Sequence, residues 1–275
     1  MRVSSQMSKV KPPPAPVFRY GKHPDQVANL HLPAREGGPW PCVVLVHGGF
    51  WRERWDRTLM TPLATDLATR GYAAWNVEYR RVGQDGGGWP GTLTDVGNAV
   101  DALGDVPEVD AQRVVALGHS AGGQLALWLA ARSTPRIRLR GAISQAGVVD
   151  LVRAHLGGLG DGAIAAFLGG SPEEVPDRYA TASPAAVVPL RVPQLVIHGG
   201  GDEIVPVAQS RAYVEAALAV GDRADLVELP GADHFDLIDP QHEAWKVVVE
   251  ALPCLLATPL TRWQVFTAWR RKPCL

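Results

Sequence analysis

RVVALGHSAGGQLALWLAA (residues 113–131) decides the fold. Its first half, RVVALG, is a short apolar run rich in β-branched residues and reads as a buried strand. Its second half, AGGQLALWLAAR, carries strong helix formers and reads as a helix that begins almost at once. Between them stands Gly118-His119-Ser120-Ala121-Gly122, a G-x-S-x-G pattern in a strand–turn–helix setting. That setting is what a nucleophile on a sharp turn requires. The glycines have a steric reason: larger side chains there would collide with the adjacent strand and helix. The helix start also directs backbone N–H groups toward developing negative charge.

Working outward, apolar runs and helical patterns alternate at least five times. QVANLHL (26–32) alternates and suits an early, exposed strand. CVVLV (42–46) is continuously apolar, as a strand buried on both faces should be. TPLATDLATRG (61–71) fits a helix capped by Thr61, with Pro62 at its first position and Gly71 at its stop. YAAWNVEY (72–79), GAISQAG (141–147), QLVIHGG (194–200) and ADLVELP (224–230) read as further strands. TLTDVGNAVDAL (92–103), VAQSRAYVEAALAV (207–220) and QHEAWKVVVEAL (241–252) read as helices. This alternation predicts an α/β fold, a doubly wound, mostly parallel sheet with helices on both faces. Such sheets hold ligands beyond the carboxyl ends of their strands, so functional residues belong in the loops that follow strands. Residues 148–190, rich in glycine and proline, break the rhythm and predict a small lid insertion with short helices near 148–156 and 163–168. Residues 1–16 are polar and proline-rich and read as a disordered leader. The folded domain is then 17–253, followed by a C-terminal extension, 254–275. In the extension Trp263, Phe266 and Trp269 recur at helical spacing beside Arg262, Arg270, Arg271 and Lys272. It reads as a terminal helix folded back on the domain or a frayed extension, with a partner- or membrane-surface helix as the alternative.

A serine hydroxyl needs a base to act as a nucleophile. In this architecture the chain order is serine, then acid, then histidine. Asp202 follows the strand QLVI within HGGGD, and His234 follows LVEL within PGADHF. Both therefore fall at the same sheet edge as Ser120. His234 is expected to take the Ser120 proton, and Asp202 to hold its ring and stabilise the imidazolium. Glu203, Asp233 and Asp236 compete with Asp202 and read as solvated loop acids. His47-Gly48-Gly49-Phe50-Trp51 follows CVVLV, where glycines let backbone amides approach a substrate oxygen. With the Ala121 N–H, that loop would form an oxyanion hole. His47 and His198 read as ties for their glycine loops. His119, Trp51 and Trp89 are candidate substrate-lining residues.

HGGFW, GHSAGG, HGGGDEIVP and PGADHF together resemble the α/β-hydrolase fold. Within it they are similar to the H-G-G-x-W branch of kynurenine formamidases (arylformamidases), with a more distant likeness to hormone-sensitive-lipase-like carboxylesterases. The resemblance covers about residues 18–252. It implies that the amides of Gly49 and Phe50 serve the oxyanion hole. Lipase-like enzymes usually carry a third glycine where this chain has Phe50, which favours the formamidase-like branch. The implied activity is that of a cofactor-independent serine hydrolase cleaving a small ester or aryl formamide through an acyl-enzyme. A short-chain carboxylesterase and a non-catalytic ligand-binding protein on the same scaffold are the alternatives.

Composition sets the outer limits. Of 275 residues, 27 are Lys or Arg and 28 Asp or Glu, a net charge of −1 that argues against a dedicated nucleic-acid binder. No apolar run reaches the ~18 residues of a membrane span, and the N-terminus lacks the apolar core of a signal peptide. The three cysteines are scattered, which suits a reducing compartment and predicts a cytoplasmic protein. Neither H-E-x-x-H nor a P-loop occurs, so no metal and no nucleotide cofactor is expected. A homodimer is an open alternative.

Overall fold

The computed structural model describes residues 15–257. The expected leader, apart from Ala15 and Pro16, and the aromatic helix of the extension lie outside them. Eight strands form one sheet: β1 (Val17–Arg19), β2 (Val27–His31), β3 (Trp40–Val46), β4 (Ala73–Val77), β5 (Val109–His119), β6 (Gly141–Gln145), β7 (Gln194–Gly199) and β8 (Ala224–Leu229). Their order across the sheet is β1-β2-β4-β3-β5-β6-β7-β8. The first two strands pair antiparallel, and every pairing from β4 to β8 is parallel.

The parallel strands are buried on both faces, which explains their unbroken apolar sequence. In β3, Val44 and Val46 face one layer while Val43 and Leu45 face the other, as a two-residue side-chain period requires. On the first side α2 (Gly91–Asp101) and α3 (Ala121–Ala131) bring Leu93, Val96, Val100, Leu125 and Leu129 to the sheet. On the second, α1 (Thr61–Thr69) contributes Leu63 and Leu67.

Three short helices fill the insertion: α4 (Leu151–Leu156), α5 (Ala163–Leu168) and α6 (Pro176–Ala182). Toward the β8 edge, α7 (Ala208–Ala219) packs Tyr213 and Ala217 against Val196 of β7. The last helix among the described residues, α8 (Glu243–Leu255), joins α1 on the second side through Trp245, Val248 and Leu252. It runs two residues past the expected boundary at 253.

Two expectations need correction. β2 is not exposed: Val27 and Leu30 are buried, Leu30 within the core layer beside its partner Trp75, while β1 takes the sheet edge beyond it. Helix α1 starts at Thr61 rather than being capped by it, with Met60 in the capping position and Pro62 in the first turn. The insertion also holds a third helix, α6, whose Pro176 and Asp177 are ordinary first-turn residues.

Candidate active site

Ser120 stands between the end of β5 and the start of α3 with φ 57° and ψ −122°. That conformation is costly for a residue with a side chain, and it persists only where surroundings enforce it. Here they do. The Ser120 N–H donates to the Gln145 carbonyl at 2.8 Å, and the Ser120 carbonyl accepts from Gly123 N–H at 2.9 Å. A Cβ on Gly118 would fall on the Gly122 carbonyl, and one on Gly122 would fall on the Val46 carbonyl. The two flanking glycines are thus the condition for three backbone segments to meet at the turn.

The loops after β7 and β8 bring Asp202 and His234 together. His234 Nδ1 lies 2.7 Å from Asp202 Oδ2. The other carboxylate oxygen accepts from the Ile204 and Val205 amides, each at 2.8 Å. His198 Nε2 approaches Oδ2 at 3.3 Å and binds the Val205 carbonyl at 2.8 Å, while its Nδ1 faces Ser210 Oγ at 2.7 Å. Burial by itself would raise the Asp202 pKa. Hydrogen bonds from His198, His234 and Val205 outweigh it and hold the carboxyl well below the usual range. The competing acids are occupied elsewhere: Asp233 and Asp236 bond backbone amides within their own turn, and Glu203 is exposed.

His119 joins the nucleophile turn to the histidine loop. Its Nε2 bonds the His234 carbonyl at 2.9 Å, and the two rings lie 4.5 Å apart. A carbonyl only accepts, so Nε2 carries the hydrogen and Nδ1 keeps a lone pair. Burial, reinforced by the charge of His234, pushes the ring pKa down to about 3, so the imidazole beside the candidate base stays neutral. The side chain is therefore a strut between two loops rather than the open pocket wall expected from its position.

The loop after β3 is held from below. His47 is buried; its Nε2 faces Glu78 Oε1 at 2.9 Å and its Nδ1 faces the Gly48 carbonyl at 2.7 Å. Tyr79 stacks on the same ring at 4.4 Å and donates to the His47 carbonyl at 2.8 Å. Glu78, itself 1% exposed, also takes the Arg57 amide at 3.0 Å and the Arg81 guanidinium at 3.1 Å. Burial pushes this carboxyl up, but the His47 bond and the charges of His47 and Arg81 carry it below the ordinary value. Above this base Gly49, Phe50 and Trp51 all adopt positive φ, at 107°, 52° and 55°. A Cβ on Gly48 would come within 2.8 Å of the Ser120 Cβ, so the loop lies directly against the serine.

The positive φ values send neighbouring rings in opposite directions. Trp51 is turned into the core rather than toward an open substrate pocket, contrary to expectation. It is 0% exposed, stacks on Phe167 at 4.5 Å and donates from Nε1 to Gln124 at 3.1 Å. Phe50 stays half-buried at the surface, where a Cβ on Gly160 would touch its ring at 2.6 Å. Arg52 clamps that same insertion loop through the Gly160 and Asp161 carbonyls, each at 2.8 Å. Trp89 is half-buried beside them, with its amide on the Phe167 carbonyl at 2.8 Å. Glu78 and Gln124 are the residues that sequence reading passed over. The signal for Glu78 is weak: an acid at the end of an apolar strand, next to two arginines.

The wider comparisons agree with this architecture. The chain is 26% identical over 256 residues to isoprenylcysteine alpha-carbonyl methylesterase of Arabidopsis thaliana, covering 79% of this chain and 56% of that protein. It is 28% identical over 244 residues to esterase LipC of Mycobacterium tuberculosis, covering 80% and 59%. It thus spans little more than half the length of either relative. The butyrate-bound structure of a thermophilic esterase, Est2 of Thermogutta terrifontis, superposes with a TM-score of 0.70 at 25% identity, covering 90% of this chain and 97% of that one. The sheet order, the helices on both faces and these neighbours make the fold that of the α/β-hydrolases. The BD-FAE family model matches residues 28–217, a span that takes in the HGGFW loop, Ser120 and Asp202 and ends before His234, and on that match the chain belongs to the BD-FAE family.

Proposed function

We propose that this protein is a serine esterase that cleaves small carboxylic esters through an acyl-enzyme. The observation that carries the reading is the 2.7 Å bond from His234 to Asp202 in loops at the sheet edge where Ser120 is held at φ 57°. Ser120 Oγ attacks the ester carbonyl while His234 takes its proton through the nitrogen not bound to Asp202. Asp202 fixes the ring and offsets the charge it gains. The negative charge on the carbonyl oxygen is received by the amides of Gly49, Phe50 and Ala121. His234 returns the proton to the departing alcohol, then activates water to release the acid.

Short acyl groups are favoured by the esterase relatives, one of which holds butyrate. The small insertion over Phe50 points the same way. Aryl formamides are the second reading, supported by the HGGFW loop with Phe50 where lipase-like enzymes carry glycine. Comparing kcat/KM on p-nitrophenyl acetate, p-nitrophenyl butyrate and N-formylkynurenine separates them. The ester reading expects fast turnover of both esters and negligible formamide cleavage; the reverse ranking would overturn it. Ser120→Ala should lower turnover on the order of 10⁶-fold, and wild-type rates in that variant would refute the mechanism.

A further inference from the structure

A cleft of about 890 Å³ opens at the amino ends of β5, β6 and β7, on the sheet edge opposite Ser120. Its size is that of a small-molecule site. It is walled by the start of β5, the end of α3 and the loops 132–140 and 189–193. Helix α3, 11 residues and therefore about 16 Å long, has Ser120 at its start and this cleft at its end.

Arginine dominates the lining. Arg132, Arg136, Arg138, Arg140 and Arg191 all face the cleft, and no Asp or Glu is among its lining residues. On a chain of net charge −1 this is a local concentration, and the sequence shows how it arises. In RIRLR (136–140) Ile137 and Leu139 are buried, so the three alternate arginines share the other side. Two guanidinium groups are already matched, Arg132 to Asp101 at 2.9 Å and Arg136 to Asp105 at 2.6 Å. Among the described residues, Arg138 and Arg191 form no ion pair with a carboxylate; Arg140 donates from Nε to the Gln112 carbonyl at 2.7 Å, and its charge also acts on the Asp110 carboxylate without a direct ion pair.

Arg191 is placed at some cost. It has φ 61°, a region that favours glycine. The buried carboxylate of Asp222 holds it there, accepting from the Leu190 amide at 2.5 Å, the Arg191 amide at 2.9 Å and Gln194 Nε2 at 2.7 Å. Three like charges around one cavity repel each other unless an anion is shared between them. Guanidinium forks match phosphate oxygens two at a time, and several forks around one volume suit a ligand with several such groups.

We propose that this cleft binds a soluble small molecule carrying two or more phosphate groups. The inference stands apart from the esterase reading, since none of its residues touches the Ser120 edge.

Titration calorimetry with tripolyphosphate on the full chain at physiological salt tests it. The expected result is one saturable site per chain with Kd below about 100 µM, and orthophosphate at matched ionic strength at least about tenfold weaker. The double variant Arg138→Ala/Arg191→Ala, at two exposed positions, should weaken tripolyphosphate at least about tenfold while unliganded Tm and p-nitrophenyl acetate turnover stay at wild-type values. Absence of saturation, equal affinity for both anions, or equal affinity in the double variant would overturn the proposal. So would binding to phosphatidylcholine vesicles containing phosphatidylserine without binding to tripolyphosphate, which would assign the arginines to a lipid surface.

Discussion

Replacing Glu78 by glutamine tests whether the loop carrying Gly49 and Phe50 is held from beneath. The substitution keeps the shape and removes the charge. In the native protein that carboxylate takes His47 at 2.9 Å, Arg81 at 3.1 Å and the Arg57 amide at 3.0 Å, with almost no solvent contact. Removing one member of a buried charged pair typically costs about 3–5 kcal/mol. The lower end applies here. Arg81 retains Asp25 at 2.7 Å, and Arg57 is 25% exposed and can rehydrate. That leaves His47 as the group without compensation. About 3 kcal/mol in a domain of this size corresponds to a Tm lower by roughly 6–12 °C. The catalytic consequence follows from His47 Nδ1 on the Gly48 carbonyl. Once His47 is released, the amides beyond it lose their fixed aim, and a lost oxyanion donor costs about 10²–10³ in turnover. Calorimetric unfolding and p-nitrophenyl butyrate kinetics measure both effects. The expectation is a lower Tm and kcat with KM nearly unchanged. A variant within ~2 °C in Tm and about twofold in kcat would refute the argument.

Three further outcomes are expected. Gly122→Ala places a Cβ against the Val46 carbonyl and 2.5 Å from that of His47, both backbone, so destabilisation beyond about 4 kcal/mol, read as loss of soluble protein or cooperative unfolding, should result. The depressed His119 pKa, about 3, makes stability pH-dependent: below the unfolded value of ~6.5 the unfolded chain holds a proton that the folded one lacks. Stability therefore falls by about 1.4 kcal/mol per pH unit from roughly 6.5 toward 3, and His119→Gln, which keeps a donor for the His234 carbonyl, should remove that share of the slope in urea unfolding from pH 7 to 4; equal slopes would refute it. Arg52→Ala frees the insertion loop at Gly160 and Asp161, so KM should rise about three- to tenfold with Tm nearly constant and amide exchange at 157–162 faster.

What was legible in the sequence divides along a physical line. CVVLV and RVVALG announce strands buried on both faces because no polar residue interrupts them, and the glycines around Ser120 mark a turn that no other residue fits. Asp202 and His234 are legible because each follows a strand in an order the sheet imposes. β1 escapes because three residues carry no period, although it pairs with β2 and sets Phe18 on Trp75 at 5.4 Å. Trp51 is misread for a different reason. An aromatic residue after two glycines in an exposed loop suggests a pocket wall, but its own φ of 55° turns the ring inward onto Phe167.

Glu78 is the instructive omission. By local rules it is a strand-end acid destined for solvent. Arg81 lies only three residues on, but His47 comes from the end of β3 and Arg57 from a separate turn, and it is the pairing of β3 with β4 that sets His47 beside Glu78. A pattern read along the chain sees one environment at a time, whereas a buried charge is stable only through several that converge. The groups expected to touch substrate obey rules of strand order and turn shape. Those that aim them, Glu78 beneath the glycine loop and His119 between Ser120 and His234, obey pairing rules that exist only after folding. The Glu78→Gln and His119→Gln variants therefore probe the part of the site that sequence alone leaves unassigned.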